Sequence, residues 1–507
     1  MRRLAGLIAI SLAACGSDPS ASTVDTADGH TVDVVDIAPP LDTVAPGPDV
    51  TVVAPVAPVD APFPVLLTAD TPLTATVTVA LAGTEREVRL YRGRGSFVAR
   101  ADAAGALPLT LNGAPLTPLT AEARPTRELS GALSGDELSW SAAADILVTG
   151  DVSVAAGDTL TIGAGTRVLV ADAVNVEVSG AVKSLGTGAE PVLLTASGDA
   201  WGGLRLLPGA VGELDETWLV AGGGDDAKRF GHSDSQPVVW VDAARLTMRG
   251  GGILDGPGKA FGSRDADITL GGVRVARCDT GGELENTMLV AERLHVSEIP
   301  DGDGVADDDD NDGVYLRGAR IVAGEAAESV LRDCVFAVGE DDGIDHNEAL
   351  VRVERAWIEG FRHEGVAASN GRRITIVDSV VKGCEQGIEA GYGAPEVVVE
   401  RCIVTGNGVG VRFGDSYDWG DDGTLSVTAS VVYGNVADVR NFSRALDGPK
   451  PEAVTVSCSV VGDPTWVDVS GNVAGPPEGR WTDGCATGPA LSADSCPGLS
   501  VGPTCAD

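Results

Sequence analysis

The feature that most constrains the fold of this chain is a repeat. Five segments start with glycine and a β-branched residue: Gly313-Val314, Gly343-Ile344, Gly365-Val366, Gly387-Ile388 and Gly410-Val411. Their spacings are 30, 22, 22 and 23 residues. A fixed period of this size marks a solenoid in which one repeat is one turn of the chain. At about 3.3 Å per strand residue, such a coil holds three short strands and three turns, each strand about 4.8 Å from its equivalent in the next coil.

Aligned coils give columns. Side chains alternate along a strand, so Val314, Ile344, Val366, Ile388 and Val411 point inward, as do Leu316, His346, Ala368, Ala390 and Phe413. His346 in that column reads as a buried, hydrogen-bonded core histidine. The column between them, Tyr315, Asp345, Ala367, Glu389 and Arg412, points outward and is mostly polar. A second register aligns Cys334, Ala356, Ser379, Cys402 and Ser430, all small, as a tight stack requires. Cys334 and Cys402 are three coils apart there, too far for a disulfide. Cys384 aligns with Asn407 and Asn435 at a turn.

Upstream, Val152–Val170, Val176-Glu177-Val178 and Pro191-Val192-Leu193-Leu194 continue as short apolar strands between turns. With the repeat, they resemble the pectate-lyase-like right-handed parallel β-helices over roughly residues 138 to 475. The expected fold class is all-β: a right-handed parallel β-helix (solenoid) preceded by a disordered stalk and a small Ig-like β-sandwich. The stretch 63–126 carries the sandwich, with alternation in Ala75-Thr76-Val77-Thr78-Val79-Ala80 and Val88-Arg89-Leu90-Tyr91. Arg92-Gly93-Arg94-Gly95 reads as a turn. The solenoid is expected over 127–475, and a cysteine-containing cap or tail over 476–507.

The N-terminus reads as a targeting signal over 1–14. Met1-Arg2-Arg3 is positive, and Leu4 to Leu12 is apolar but too short to span a bilayer. Leu12-Ala13-Ala14-Cys15 resembles a bacterial lipobox, which implies lipidation of Cys15 and a membrane-anchored protein at the outer membrane or cell surface. Residues 15–62 then form a lipid-anchored linker, rich in Asp, Pro, Ser and Thr and without a period. The net charge of −38 repels nucleic acid and favours divalent cations. Cys458, Cys485, Cys496 and Cys505 cluster at the C-terminus and suit two disulfides, with three connectivities open.

Three groupings carry chemistry. The run Asp301-Gly302-Asp303-Gly304-Val305-Ala306-Asp307-Asp308-Asp309-Asp310-Asn311-Asp312 resembles the calcium loops of thrombospondin type-3-like repeats. That resemblance implies Ca²⁺ on Asp301, Asp303, Asp307 and Asp310, with Asp312 beside them. Second, Asp312, Asp342, Glu364 and Gln386 each precede a strand glycine and should stack about 5 Å apart, so their carboxylates cannot all ionise freely. Third, Glu340-Asp341-Asp342-Gly343-Ile344 resembles the Asp-Asp segment of polygalacturonase-type glycoside hydrolases. It implies catalytic roles for Asp312, Asp341, Asp342 and His363, in which one carboxyl protonates the leaving oxygen and others activate water. The sequence departs from that family in two ways. His363 aligns with Asp341, one residue out of step, and alternation would turn it to the other face from Asp342. A basic substrate clamp is replaced by Glu389-Ala390-Gly391.

Asp345, Glu364, Glu389 and Arg412 on the outward side are candidate ligand-binding residues. Tyr417 and Trp419, in a longer insertion, are candidate sugar platforms. The leading expectation is a cell-envelope lipoprotein presenting a calcium-stabilised β-helix to an extracellular polysaccharide or surface partner. The alternatives are a polysaccharide-degrading hydrolase or lyase, and a purely structural or adhesive protein.

Overall fold

The structure, a computed structural model, describes residues 50–54, 57–300, 310–414, 420–467, 469–475, 480–482 and 485–487. Cys15, Asp301, Asp303, Asp307, Tyr417, Trp419, Cys496 and Cys505 lie outside the described residues.

From Thr126 to Ala474, 37 strands form one continuous parallel sheet wound into a three-faced solenoid. Each strand pairs with the equivalent strand of the coils before and after it. Ile344–Asn347, Glu364–Ser369, Gln386–Ala390 and Val409–Phe413 form part of one face, called here the site face. The Cα partners Ile344–Val366, Val366–Ile388 and Ile388–Val411 reproduce the inward column expected from the repeat. Those residues are fully buried. The first spacing is longer because a small hairpin, Ile321–Val322 against Glu325–Ala326, leaves the coil after Tyr315–Arg317.

The glycines of the repeat answer to close approach. A Cβ on Gly313, Gly343 or Gly387 would lie 2.4, 2.5 or 2.4 Å from the carbonyl oxygen of the corresponding glycine one coil on. No side chain fits there, so these coils present glycine at this position.

One corner leads into the second face, whose strands include Val335–Gly339, Trp357–Phe361 and Val380–Lys382. It turns on a single left-handed residue per coil: Asp333 (φ 54°), Arg355 (51°), Asp378 (50°) and Arg401 (52°). Such a conformation costs a non-glycine residue about 1–2 kcal/mol. Opposite charges in successive coils offset part of that cost. Arg355 clasps Asp333 at 2.7 and 2.7 Å, and Arg401 clasps Asp378 at 2.7 and 3.0 Å. The next residue of each coil is the predicted small column. Ser379 Oγ accepts the Ala356 N–H at 3.0 Å, and Ser430 Oγ accepts the Cys402 N–H at 3.0 Å. Cys278, Cys334, Cys384 and Cys402 are free and buried, and burial pushes their thiols up to about 12. At the neighbouring turn, Asn407 and Asn435 form the ladder under Cys384: Asn407 Oδ1 accepts the Cys384 N–H at 2.9 Å. Cys458 is disulfide-bonded.

The N-terminal region is a two-sheet antiparallel sandwich. Val50–Val53, Phe63–Ala69 and Arg94–Ala99 form one sheet, and Thr84–Leu90, Ala75–Leu81, Gly105–Leu111 and Ala114–Ala121 the other. This strand order is Ig-like with the fourth strand moved to the opposite sheet. Val50–Val53 pairs with Phe63–Ala69, so ordered chain extends upstream of residue 63. The Arg92-Gly93 pair, both with positive φ, makes the tip of a hairpin, as the turn reading expects. The sandwich packs on the second face: His295 Nε2 lies 2.9 Å from the Tyr91 carbonyl, Arg274 donates to Thr68 Oγ1 at 2.9 Å, and the Arg92 guanidinium lies 4.3 Å from the centre of the Trp357 ring.

The stacked corners predict opposite outcomes for two substitutions. Ser379→Leu overfills a closed column and removes the acceptor of the Ala356 N–H, so it should lower stability by about 2–3 kcal/mol. Ala429→Gly sits at a left-handed corner (φ 53°) and should leave stability unchanged or raise it. Urea melts of both variants check the pair.

Candidate functional site

The turn entering the site face carries the predicted carboxylate column. Asp312, Asp342 and Glu364 are 3, 5 and 2% exposed and sit in successive coils. Backbone N–H groups hold them at this spacing. Asp312 Oδ1 accepts from the Asp342 N–H at 3.3 Å, and Asp342 Oδ1 from the Glu364 N–H at 2.8 Å. Gln386 Nε2 donates to Glu364 Oε1 and closes the stack.

His363 corrects the sequence expectation. Its Nδ1 lies 2.6 Å from Glu364 Oε2, 3.1 Å from Asp341 Oδ1 and 3.7 Å from Asp342 Oδ1. The imidazole therefore joins the carboxylates instead of turning away. Strict alternation holds only inside a strand, and His363 lies in the bend before the strand Glu364–Ser369. Asp345 reaches the same place from the outward column. Oxygens of Asp312, Asp342 and Asp345 all lie within 4.8 Å of one another, as do ligating atoms of Asp341, Asp342 and His363.

Electrostatics divides this cluster. Burial, reinforced by neighbouring carboxylates, holds Asp312, Asp342 and Asp345 well above the usual carboxylate range. Burial also raises Asp341, against the pull of His363. Burial alone would raise Glu364 too, but the adjacent His363 imidazolium holds it down at about 2. His363 resists its own desolvation and is raised to about 12 by Glu364 and Asp341. The cluster thus combines an imidazolium–carboxylate pair with carboxyls whose ionisation burial opposes. The side chains of His363 and Asp341, 44 and 18% exposed, face solvent; Asp312, Asp342 and Glu364 lie behind them.

The remaining predicted residues fall as follows. Asp310, at the edge of the described acidic run, is exposed and 3.6 Å from His232 Nδ1. Glu389 and Arg412 stack in neighbouring coils of the site face and pair with each other at 2.9 Å. Arg412 also donates to Gln386 Oε1 at 2.6 Å. His346 is buried with Nε2 against the Ala349 carbonyl, and burial lowers it to about 4. The sequence reading missed His232, Lys259 and Glu283. One signal was present: Gly281 occupies the phase of Gly313, which places Glu283 beneath Tyr315.

The raised carboxyls predict a pH-dependent stability. Asp342 ionises near 3.8 when unfolded but higher when folded. Stability therefore falls as pH rises from about that value toward the folded value. Asp342→Asn keeps an oxygen for the Glu364 N–H and does not titrate. In EDTA-treated buffer it should melt above the parent at pH 7, with the gain shrinking toward pH 4. A lower melting temperature at pH 7 would mean that Asp342 is charged and well partnered.

Residues 299–435 match the right handed beta helix region family. No curated protein matches the sequence. Among solved structures, the catalytic domain of a GH87 alpha-1,3-glucanase, as a single-substitution variant in complex with nigerose, aligns at 9% identity and TM-score 0.34, over 83% of this chain and 90% of that one. The periplasmic alginate epimerase AlgG aligns at 11% identity and TM-score 0.32, over 64 and 75%. An alginate lyase from Paenibacillus sp. aligns at 12% identity and TM-score 0.28, over 55 and 91%. Likenesses this distant carry no information on substrate. By its coil architecture, the chain has the right-handed parallel β-helix fold, and residues 299–435 carry the family match.

Proposed function

We propose that this chain binds an extracellular polysaccharide on the site face and hydrolyses it. The observation that carries the proposal is the grouping around His363: its imidazole lies 2.6 Å from Glu364 and 3.1 Å from Asp341, beside buried carboxyls that resist ionisation. Neighbouring acids driven to opposite protonation states are what general acid–base chemistry at neutral pH requires. Asp345, on the outward column and with its ionisation opposed by burial and by neighbouring carboxylates, suits protonation of the leaving glycosidic oxygen. Asp341, more exposed and bonded to His363, suits activation of water in its ionised form, which the imidazolium favours against the pull of burial. His363 then keeps Asp341 and Glu364 oriented and stabilises their charge. Attack by water from the opposite side of the sugar gives inversion. In this scheme Asp312 and Asp342 hold the proton balance behind the reacting pair.

A second reading is favoured by the grouping of Asp312, Asp342 and Asp345 within 4.8 Å. Ca²⁺ takes 6–8 oxygens, and these carboxylates would supply part of such a shell. A calcium-stiffened module would then bind the glycan without cleaving it. In both readings Cys15 would anchor the chain to the cell envelope by its lipid.

Incubation with neutral, acidic and amino-sugar polysaccharides, scored for retention and for new reducing or unsaturated ends, tests the proposal. Hydrolysis should appear as new reducing ends without unsaturation. Asp345→Asn and Asp341→Asn should each lower kcat at least about 100-fold. Retention without cleavage would favour the binding module, and neither result would sink both. Excess EDTA should lower the melting temperature if the cation reading holds; an unchanged curve removes it.

A further inference from the structure

Residues 223–237 leave the solenoid between the strands Val211–Val220 and Val239–Asp242. Buried polar contacts hold this loop at both ends. At its base, Asp225 N–H donates to Gln236 Oε1 at 2.6 Å, and Gln236 Nε2 donates to Asn175 Oδ1 at 2.8 Å. At its tip, the fully buried Lys259 lies with Nζ 2.6 Å from Glu283 Oε2 and also donates to the Phe230 carbonyl. The Glu283 carboxylate in turn accepts the His232 N–H at 2.9 and 3.0 Å. A buried Lys–Glu pair adds little stability over apolar residues of similar volume. Its effect here is geometric: it fixes the backbone on either side of Gly231.

What it fixes is the approach to the site. Glu283 pairs with Tyr315, and Tyr315 with Asp345, along the outward column of the site face. The His232 ring lies 5.0 Å from the Tyr315 ring, and its Nδ1 lies 3.6 Å from Asp310 Oδ2. Among the described histidines, His295 and His346 are buried in the core. His232 and His363, with side chains 46 and 44% exposed, flank the carboxylates from different coils.

We infer that residues 223–237 form a second wall of the glycan site, with His232 binding a sugar hydroxyl across the carboxylates from His363 and the Lys259–Glu283 pair positioning it. This inference rests on the proposal that a polysaccharide is engaged on the site face. Lys259 and Glu283 are positioning residues; neither touches substrate.

The test is a double-mutant cycle on the full chain, using the polysaccharide that the panel identifies. His232→Ala should raise KM about tenfold, the value of one ligand hydrogen bond, with kcat nearly unchanged. If the chain only binds, Kd should rise by the same factor. Lys259→Met should move the same constant, and the double variant should lose no more than either single one. Glu283→Gln replaces Lys259→Met if the latter does not fold. Unchanged constants in His232→Ala would overturn the inference and leave the glycan proposal standing. Additive losses would show that the Lys259–Glu283 pair acts on something other than His232, and would overturn its positioning role. A parent chain that neither retains nor cleaves any polysaccharide would overturn both.

Discussion

Coil-to-coil backbone hydrogen bonding sets the interval on which everything else in this molecule depends. Once strands pair in parallel at about 4.8 Å, each side chain must lie directly over its equivalent in the next coil. Stacked positions then have to tolerate themselves. The glycine column exists because the next coil's carbonyl leaves no room for Cβ. The column from Cys334 to Ser430 stays small because it is closed on all sides. The asparagines at 407 and 435 succeed because an amide both donates and accepts along the stack.

The same interval makes charge costly or useful according to sign. At the left-handed corners, Asp and Arg alternate and pair between coils while exposed to solvent. At the entrance to the site face, the stack is Asp312, Asp342 and Glu364, with Asp341 and Asp345 beside it and His363 as their close cationic partner. Carboxyls buried at this distance resist ionising together, accept backbone N–H groups and share one imidazolium. Such an arrangement weakens the fold at neutral pH, so stability does not account for it. An arrangement costly to stability and poised to exchange protons fits a site better than a scaffold.

The fold was legible in the sequence because the period near 22 and the two-residue alternation are local signals that repeat. The inward and outward columns from 313 onward, the small column and the asparagine ladder all lie where aligned coils place them. His363 was misjudged because it occupies a bend, where alternation no longer sets direction. The loop carrying His232 left no periodic trace. Its anchors, Lys259 and Glu283, lie 27 and 51 residues away and meet it only through the winding of the solenoid.

The central claim is that carboxyls in this stack remain neutral at physiological pH. Infrared difference spectroscopy of the full chain in metal-free buffer measures this directly through the C=O stretch of un-ionised carboxylic acid. The account predicts that this band is present at pH 7 and weakens when Asp312 and Asp342 are both replaced by Asn. A spectrum at pH 7 with no neutral carboxylic acid, every carboxylate being ionised, would contradict it.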